Sequence, residues 1–236
     1  AVFIKKFLFN QLLINAIVKF KFVILNFLWL LILLVISGNH LFSQPVRMAV
    51  QVQSQDKQIS FAVEEIKKVA IEKGYVINLP EFSNAPLKDE FIVKIISDSV
   101  LSVTIARDNN LKKPEYLGWQ CYSIRVKTTD KQRIVYILAG NKTGAMYGGL
   151  DVAEAIRIGT IDSLADSDNK PYLDRRGIKF NIPLDMRTPS YSDMGDAGQQ
   201  NIPVVWEMDF WKQQFDEMAR HRYNVISLWS ENPFPS

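Results

Sequence analysis

Apolar and polar side chains alternate over VRMAVQVQ (residues 46–53), which predicts a half-buried strand. In KQISFAVEEIKKVAIEKG (57–74) the period changes. Ile59, Ala62, Val63, Ile66, Val69 and Ala70 recur at three- and four-residue steps, predicting an amphipathic helix with Gly74 as its stop. YVINL (75–79) and FIVKIIS (91–97) read as strands, the second apolar enough to be buried on both faces. Two β-rich runs flank the polar turn TTDKQ (128–132) and predict a hairpin over 120–140. NKTGAMYGGLDVAEAIRIG (141–159) then predicts a helix, with Met146, Leu150 and Ala153 at helical spacing. Strands and helices around a hairpin give an α+β fold class for a domain over residues 45–160.

The polar stretch TIDSLADSDNKP (160–171) has no periodicity and marks the expected domain boundary. Beyond it, RRGIKFN (175–181) predicts a strand with Ile178, Phe180 and Ile182 on one face. A long loop rich in Pro, Gly, Ser and Asp follows, and Asp209 is the expected N-cap of a helix in FWKQQFDEMARHR (210–222). YNVISLW (223–229) closes the pattern as a second strand. Strand, helix, strand in this order is a βαβ unit, which implies parallel pairing. A parallel sheet needs both faces covered, and one helix cannot do that. Residues 171–236 therefore read as the truncated start of a (β/α)8 barrel or doubly wound domain, the former being the expected fold class.

Composition changes the picture at one end only. Residues 1–43 carry Lys5, Lys6, Lys19 and Lys21 and no acidic residue, so removing the leader turns the net charge of +3 into about −1. The basicity belongs to the leader, and no nucleic-acid partner is expected. Basic residues, the apolar run FVILNFLWLLILLVI (22–36) and a small, polar SGNHLFSQ have the layout of an export signal. Fifteen helical positions reach about 22 Å, short of a hydrocarbon core of roughly 30 Å. Cleavage is expected near Ser43 or Gln44, while the upstream FLFNQLLINAIV leaves a retained membrane anchor as the alternative. Any membrane association is expected through this leader alone. Cys121 is the single cysteine, so no intrachain disulfide forms; with only His40 and His221 beside it, no His/Cys metal cluster and no cofactor is expected.

AGNKTGAMYGG (139–149) fits neither phosphate-loop pattern, and its glycines read as close helix-to-sheet packing. Asn141-Lys142-Thr143 matches a glycosylation sequon. No serine lies in a nucleophile elbow. The polar residues around the second segment's strands carry more chemistry. Barrel enzymes place substrate contacts at the carboxyl ends of their strands, which brings forward Arg176, Asn181 and Asp185, then Trp229, Glu231 and Asn232. An indole beside hydrogen-bonding groups suits a sugar ring, whose C–H face stacks while its hydroxyls bond. Glu231 is a candidate carboxylate, without an identifiable partner to complete the pair that glycoside hydrolysis uses.

As an ordered set, IVYILAGNKTGAMYGGLDVAEAI, RRGIKFN and FDEMARHRYNVISLW resemble β-N-acetylhexosaminidases and α-glucuronidases, in which a small N-terminal domain precedes a catalytic barrel. By that resemblance Arg176 matches an arginine that binds sugar hydroxyls. Asn181 stands where the hexosaminidases have an acid, and SLW replaces their His-Trp-His segment. These departures point to an α-glucuronidase-like or unassigned relative. The resemblance implies the N-terminal part of an exported glycoside hydrolase acting on poly- or oligosaccharides. Arg176, Asn181, Trp229 and Asn232 are the expected substrate contacts, and the catalytic acids lie on later strands, so this chain alone is expected to be inactive. The alternatives are a carbohydrate-binding module without catalysis and a membrane-anchored structural protein.

Overall fold

Six strands form one mixed sheet, ordered β2-β1-β3-β5-β4-β6, in a computed structural model that describes residues 19–21, 24–29, 45–83, 86–181 and 207–229. The strands are β1 (Arg47–Val52), β2 (Val76–Asn78), β3 (Phe91–Ile96), β4 (Tyr122–Thr128), β5 (Arg133–Ala139) and β6 (Ser167–Asn169). β2, β1, β3 and β5 run parallel, whereas β4 is antiparallel to both β5 and β6. The expected hairpin is the β4–β5 pair, closed by the Thr129 N–H donating to Gln132 O at 2.8 Å.

Helices cover both faces, which is what the parallel portion requires. On one face α1 (Lys57–Glu72) and α3 (Lys142–Ile158) pack over Met48, Val50, Val93, Ile95 and Ile137. The opposite face is covered by α2 (Ser99–Asp108), over Ile96, Tyr136 and Leu138. The period-3.6 stripe of α1 is the buried one, and its end is marked by Gly74 in the left-handed region at φ +85°. Asn141 caps α3 by accepting from the Thr143 and Gly144 N–H groups. The glycines of α3 do close packing: a Cβ on Gly148 would stand 2.5 Å from Ile137 Cγ2, and one on Gly149 2.8 Å from the Ala62 Cβ.

The polar segment after α3 is more than a linker. Ser167–Asn169 is the sixth strand, so the sheet continues past the expected end at residue 160. Its anchor is Arg125, which is 0% exposed. Arg125 donates to Lys112 O, Lys113 O, Ile124 O and Ser167 O at 2.8–3.1 Å and to Asp168 at 2.5 Å. Burial pushes the Asp168 carboxyl up, but hydrogen bonds from Ser123, the Glu115 N–H, Arg125 and Lys112 outweigh it and hold the group well below the usual carboxylate range.

The second segment contains β7 (Gly177–Asn181), α4 (Met208–Arg220) and β8 (Val225–Trp229), with β7 and β8 parallel as the βαβ reading required. α4 begins one residue before Asp209. Glu207 holds the N-cap position without a side-chain capping bond, and Asp209 pairs with Lys212 at 3.0 Å inside the first turn. Arg220 fixes α4 to α1 by donating to both carboxylate oxygens of Glu65, at 2.8 and 3.0 Å. In the separate unit Ala1–Pro45, residues 19–21 and 24–29 are helical, and most of the apolar run lies outside the described residues. Among the described residues no helix is long and apolar enough to cross a membrane.

Candidate functional site

Gly177 is where β7 meets β8 most closely. A Cβ there would lie 2.0 Å from Val225 O, so no side chain fits without separating the strands. Just before it, Arg176 is tied down by neutral partners. Its N–H donates to Asn224 Oδ1 at 2.9 Å, and its guanidinium donates to Arg222 O at 2.9 Å, to Gln120 Oε1 at 2.6 Å and to Leu173 O. The same guanidinium lies 5.7 Å from the Tyr147 ring centroid, and that of Arg222 lies 5.9 Å from it. Arg222 also pairs with Asp151, which accepts from the Tyr122 hydroxyl. Burial, then the Asp151 charge, drives the Tyr122 hydroxyl far above its ordinary range, so it stays a neutral donor.

Of the expected sugar contacts, three have a described backbone position, and Arg176 stands apart from the other two. Register pairs Asn181 with Trp229 at the carboxyl ends of β7 and β8. Arg176 stands before the opposite end, with the five-residue strand between, about 13–16 Å away at roughly 3.3 Å per residue. Asn232, Glu231 and Asp185 lie outside the described residues. The structure thus sets Asn181 and Trp229 at paired positions, and it places Arg176 in the contact between the βαβ unit and the sheet domain.

Gln120 is the hub of that contact. It is 1% exposed, adopts φ +64°, accepts from Arg176 and from Asn224 (3.2 Å), and donates to Asp174 O at 2.8 Å. The loop it belongs to is pressed onto the start of α3. A Cβ on Gly140 would lie 1.9 Å from Leu117 O, one on Gly144 would lie 2.1 Å from Cys121 O, and Asn141 Nδ2 donates to Gly118 O at 2.9 Å. Burial raises the Cys121 thiol, which leaves it a packed side chain without thiolate character.

Beside this hub the first turns of α1 and α3, the 119 loop and the end of α4 border an open crevice of about 600 Å3. Phe61, Trp119, Tyr147 and Tyr223 supply aromatic walls, and Lys57, Gln58 and Asp216 supply polar groups. Sequence reasoning missed this grouping. The one local signal was a tryptophan in a glycine-adjacent loop, LGWQC. Among the described residues no cluster of His, Cys, Asp and Glu could hold a metal ion.

No protein-family model matches the chain, and no curated protein matches it. Among solved structures it is similar to a GH138 enzyme targeting pectin rhamnogalacturonan II, with 18% identity, a TM-score of 0.52, and 79% of this chain and 24% of that chain covered. It is also similar to CpGH84D, at 20% identity and a TM-score of 0.40, over 59% of this chain and 24% of that one. The chain therefore spans about a quarter of the length of each. The first likeness shows a shared fold: this chain is built like part of a glycoside hydrolase.

Proposed function

We propose that the chain is part of a glycoside hydrolase in which the six-stranded domain is an accessory unit and β7-α4-β8 opens a (β/α)8 barrel. The observation that carries this reading is the parallel pairing of β7 with β8 across α4, which sets Asn181 opposite Trp229 at their carboxyl ends. In barrels that end of the strands is where substrate is held. The likeness to a GH138 enzyme supports it.

In this reading Asn181, Trp229 and Asn232 contact the sugar. An indole face packs on the C–H face of a pyranose, and amide groups exchange hydrogen bonds with its hydroxyls. Arg176, at the far end of β7, is a positioning residue that keeps the strand pair seated on Gln120. Hydrolysis uses two carboxyl groups flanking the scissile bond, one protonating the leaving oxygen and the other attacking or activating water. That pair is assigned to barrel strands following β8. The substrate class is a plant-type poly- or oligosaccharide, with pectic material the first to try.

The test uses this chain and the product of its gene read through any coding sequence beyond residue 236. Both are incubated with pectin- and xylan-derived oligosaccharides, and released sugars are quantified. Release by the longer product and none by the shorter is the expected result. A longer product without hydrolytic activity, or one whose kcat/KM is untouched by Trp229→Ala, would overturn the reading.

A further inference from the structure

The crevice between α1, α3 and α4 is a cavity the proposed barrel chemistry does not use. It flanks Tyr223 and Asn224, which precede β8, whereas the expected catalytic end begins at Trp229. At about 600 Å3 it falls within the range of small-molecule sites, about 300–1,000 Å3.

Its lining has two kinds of surface. Trp119 keeps 55% of its area exposed and Tyr223 keeps 41%, whereas Tyr147 in the same lining is buried. An aromatic ring left in solvent forgoes its burial energy unless something else covers it. The Trp119 loop is held at its backbone by close contacts with Gly140 and Gly144 and by the Gln120 side chain. Around the rings stand hydrogen-bonding groups with spare capacity. Among the described residues the Asp216 carboxylate and the Lys57 ammonium make no hydrogen bond or ion pair, and Gln58 Oε1 is buried without a donor while its Nε2 reaches Thr143 Oγ1 at 3.4 Å. One lysine and one aspartate cancel, so the lining favours neither an anion nor a cation.

We infer that this crevice is a binding site for a neutral oligosaccharide, separate from the catalytic end of the proposed barrel. Trp119 and Tyr223 take the C–H faces of successive rings. Asp216 accepts from a pair of neighbouring hydroxyls, and Lys57 donates to ring or hydroxyl oxygens. The inference rests on the crevice alone and stands whether or not the longer gene product is a hydrolase.

The test is calorimetric titration of the full chain, free of any catalytic turnover, with neutral tri- to hexasaccharides of glucose, xylose, galactose and arabinose. Saturable binding to at least one is expected, about tenfold weaker in Trp119→Ala and weakened in Asp216→Asn, with Lys67→Ala as an unaffected control on the exposed part of α1. Asp216 is on the solvent face of α4, so its amide variant separates loss of binding from loss of folding. Absence of binding across the set at millimolar sugar, or Asp216→Asn and Trp119→Ala proteins that bind as tightly as the unaltered chain, would overturn the assignment. Binding only by charged sugars would overturn it as well. Occlusion of Trp119 from acrylamide quenching in the longer gene product would assign the crevice instead to packing against further chain.

Discussion

Replacing Arg125 with Met tests what holds the last strand of the sheet. Methionine has a similar reach and no charge, so the change removes five donor interactions and little volume. Four carbonyls lose a donor, and Asp168, only 10% exposed at its side chain, loses its closest partner. It retains Lys112 at 3.1 Å, the Ser123 hydroxyl at 2.6 Å and the Glu115 N–H at 3.1 Å, which limits the damage. Breaking a buried pair costs about 3–5 kcal/mol, and the remaining partners place this case at the lower end, about 3 kcal/mol. Stability of a domain this size is roughly 5–15 kcal/mol, so the loss is large but survivable. Urea unfolding followed by circular dichroism, with an unchanged m-value, measures it. Asp168→Asn probes the same cluster through pH. A carboxyl held below its ordinary range contributes stability that is present above about pH 4 and disappears as pH falls through its folded value. The gap between wild type and Asp168→Asn must therefore shrink under acid. A cost below about 1 kcal/mol for Arg125→Met, or a gap that widens on acidification, refutes the account of β6 as a strand held by this cluster.

Two further perturbations address the remaining elements. Gly177→Ala puts a methyl group onto Val225 O and should cost about 2–3 kcal/mol, seen as faster amide exchange across Val225–Trp229 while β1 and β3 keep their protection; uniform protection would contradict the close strand approach. Expression with the leader in an exporting host should yield a mature N-terminus near residue 44 by intact mass, and recovery of the full-length mass from membranes would favour a retained anchor.

Much of the sheet domain was legible because its periodicities are clean. The α1 stripe, the β4–β5 hairpin and the α3 span all follow the apolar pattern, and β7 and β8 pair as a βαβ unit should. α2 was not legible. Val100, Val103, Thr104 and Ile105 are β-branched, and the helix depends on the Asp98 cap and on packing against Tyr136 and Leu138. β6, read as Ser-Asp-Asn, has no apolar signal, because the Arg125–Asp168 cluster rather than its own burial makes it a strand. The start of α4 lies one residue ahead of its sequence signal, with Glu207 at the N-cap and Asp209 paired with Lys212 inside the first turn. For the site, the pairing of Asn181 with Trp229 followed from strand order. Arg176 carried no such guide, since its partners lie as far away in sequence as Gln120. The aromatic crevice draws on four stretches of chain and could be assembled only once they were folded together.

Gly140 and Gly144 have a consequence for how this surface diversifies. Both are closed to any side chain by carbonyls of the same loop, so their identity is fixed by contact with the backbone and is indifferent to what Trp119 touches. Position 119 itself is under no such restriction: its side chain keeps more than half of its area in solvent. A saturation library should therefore show two columns that accept only glycine, at 140 and 144, alongside a permissive one at 119. The scaffold separates what must be inherited from what is available for trial, and new ligand preferences can be sampled there without renegotiating the fold.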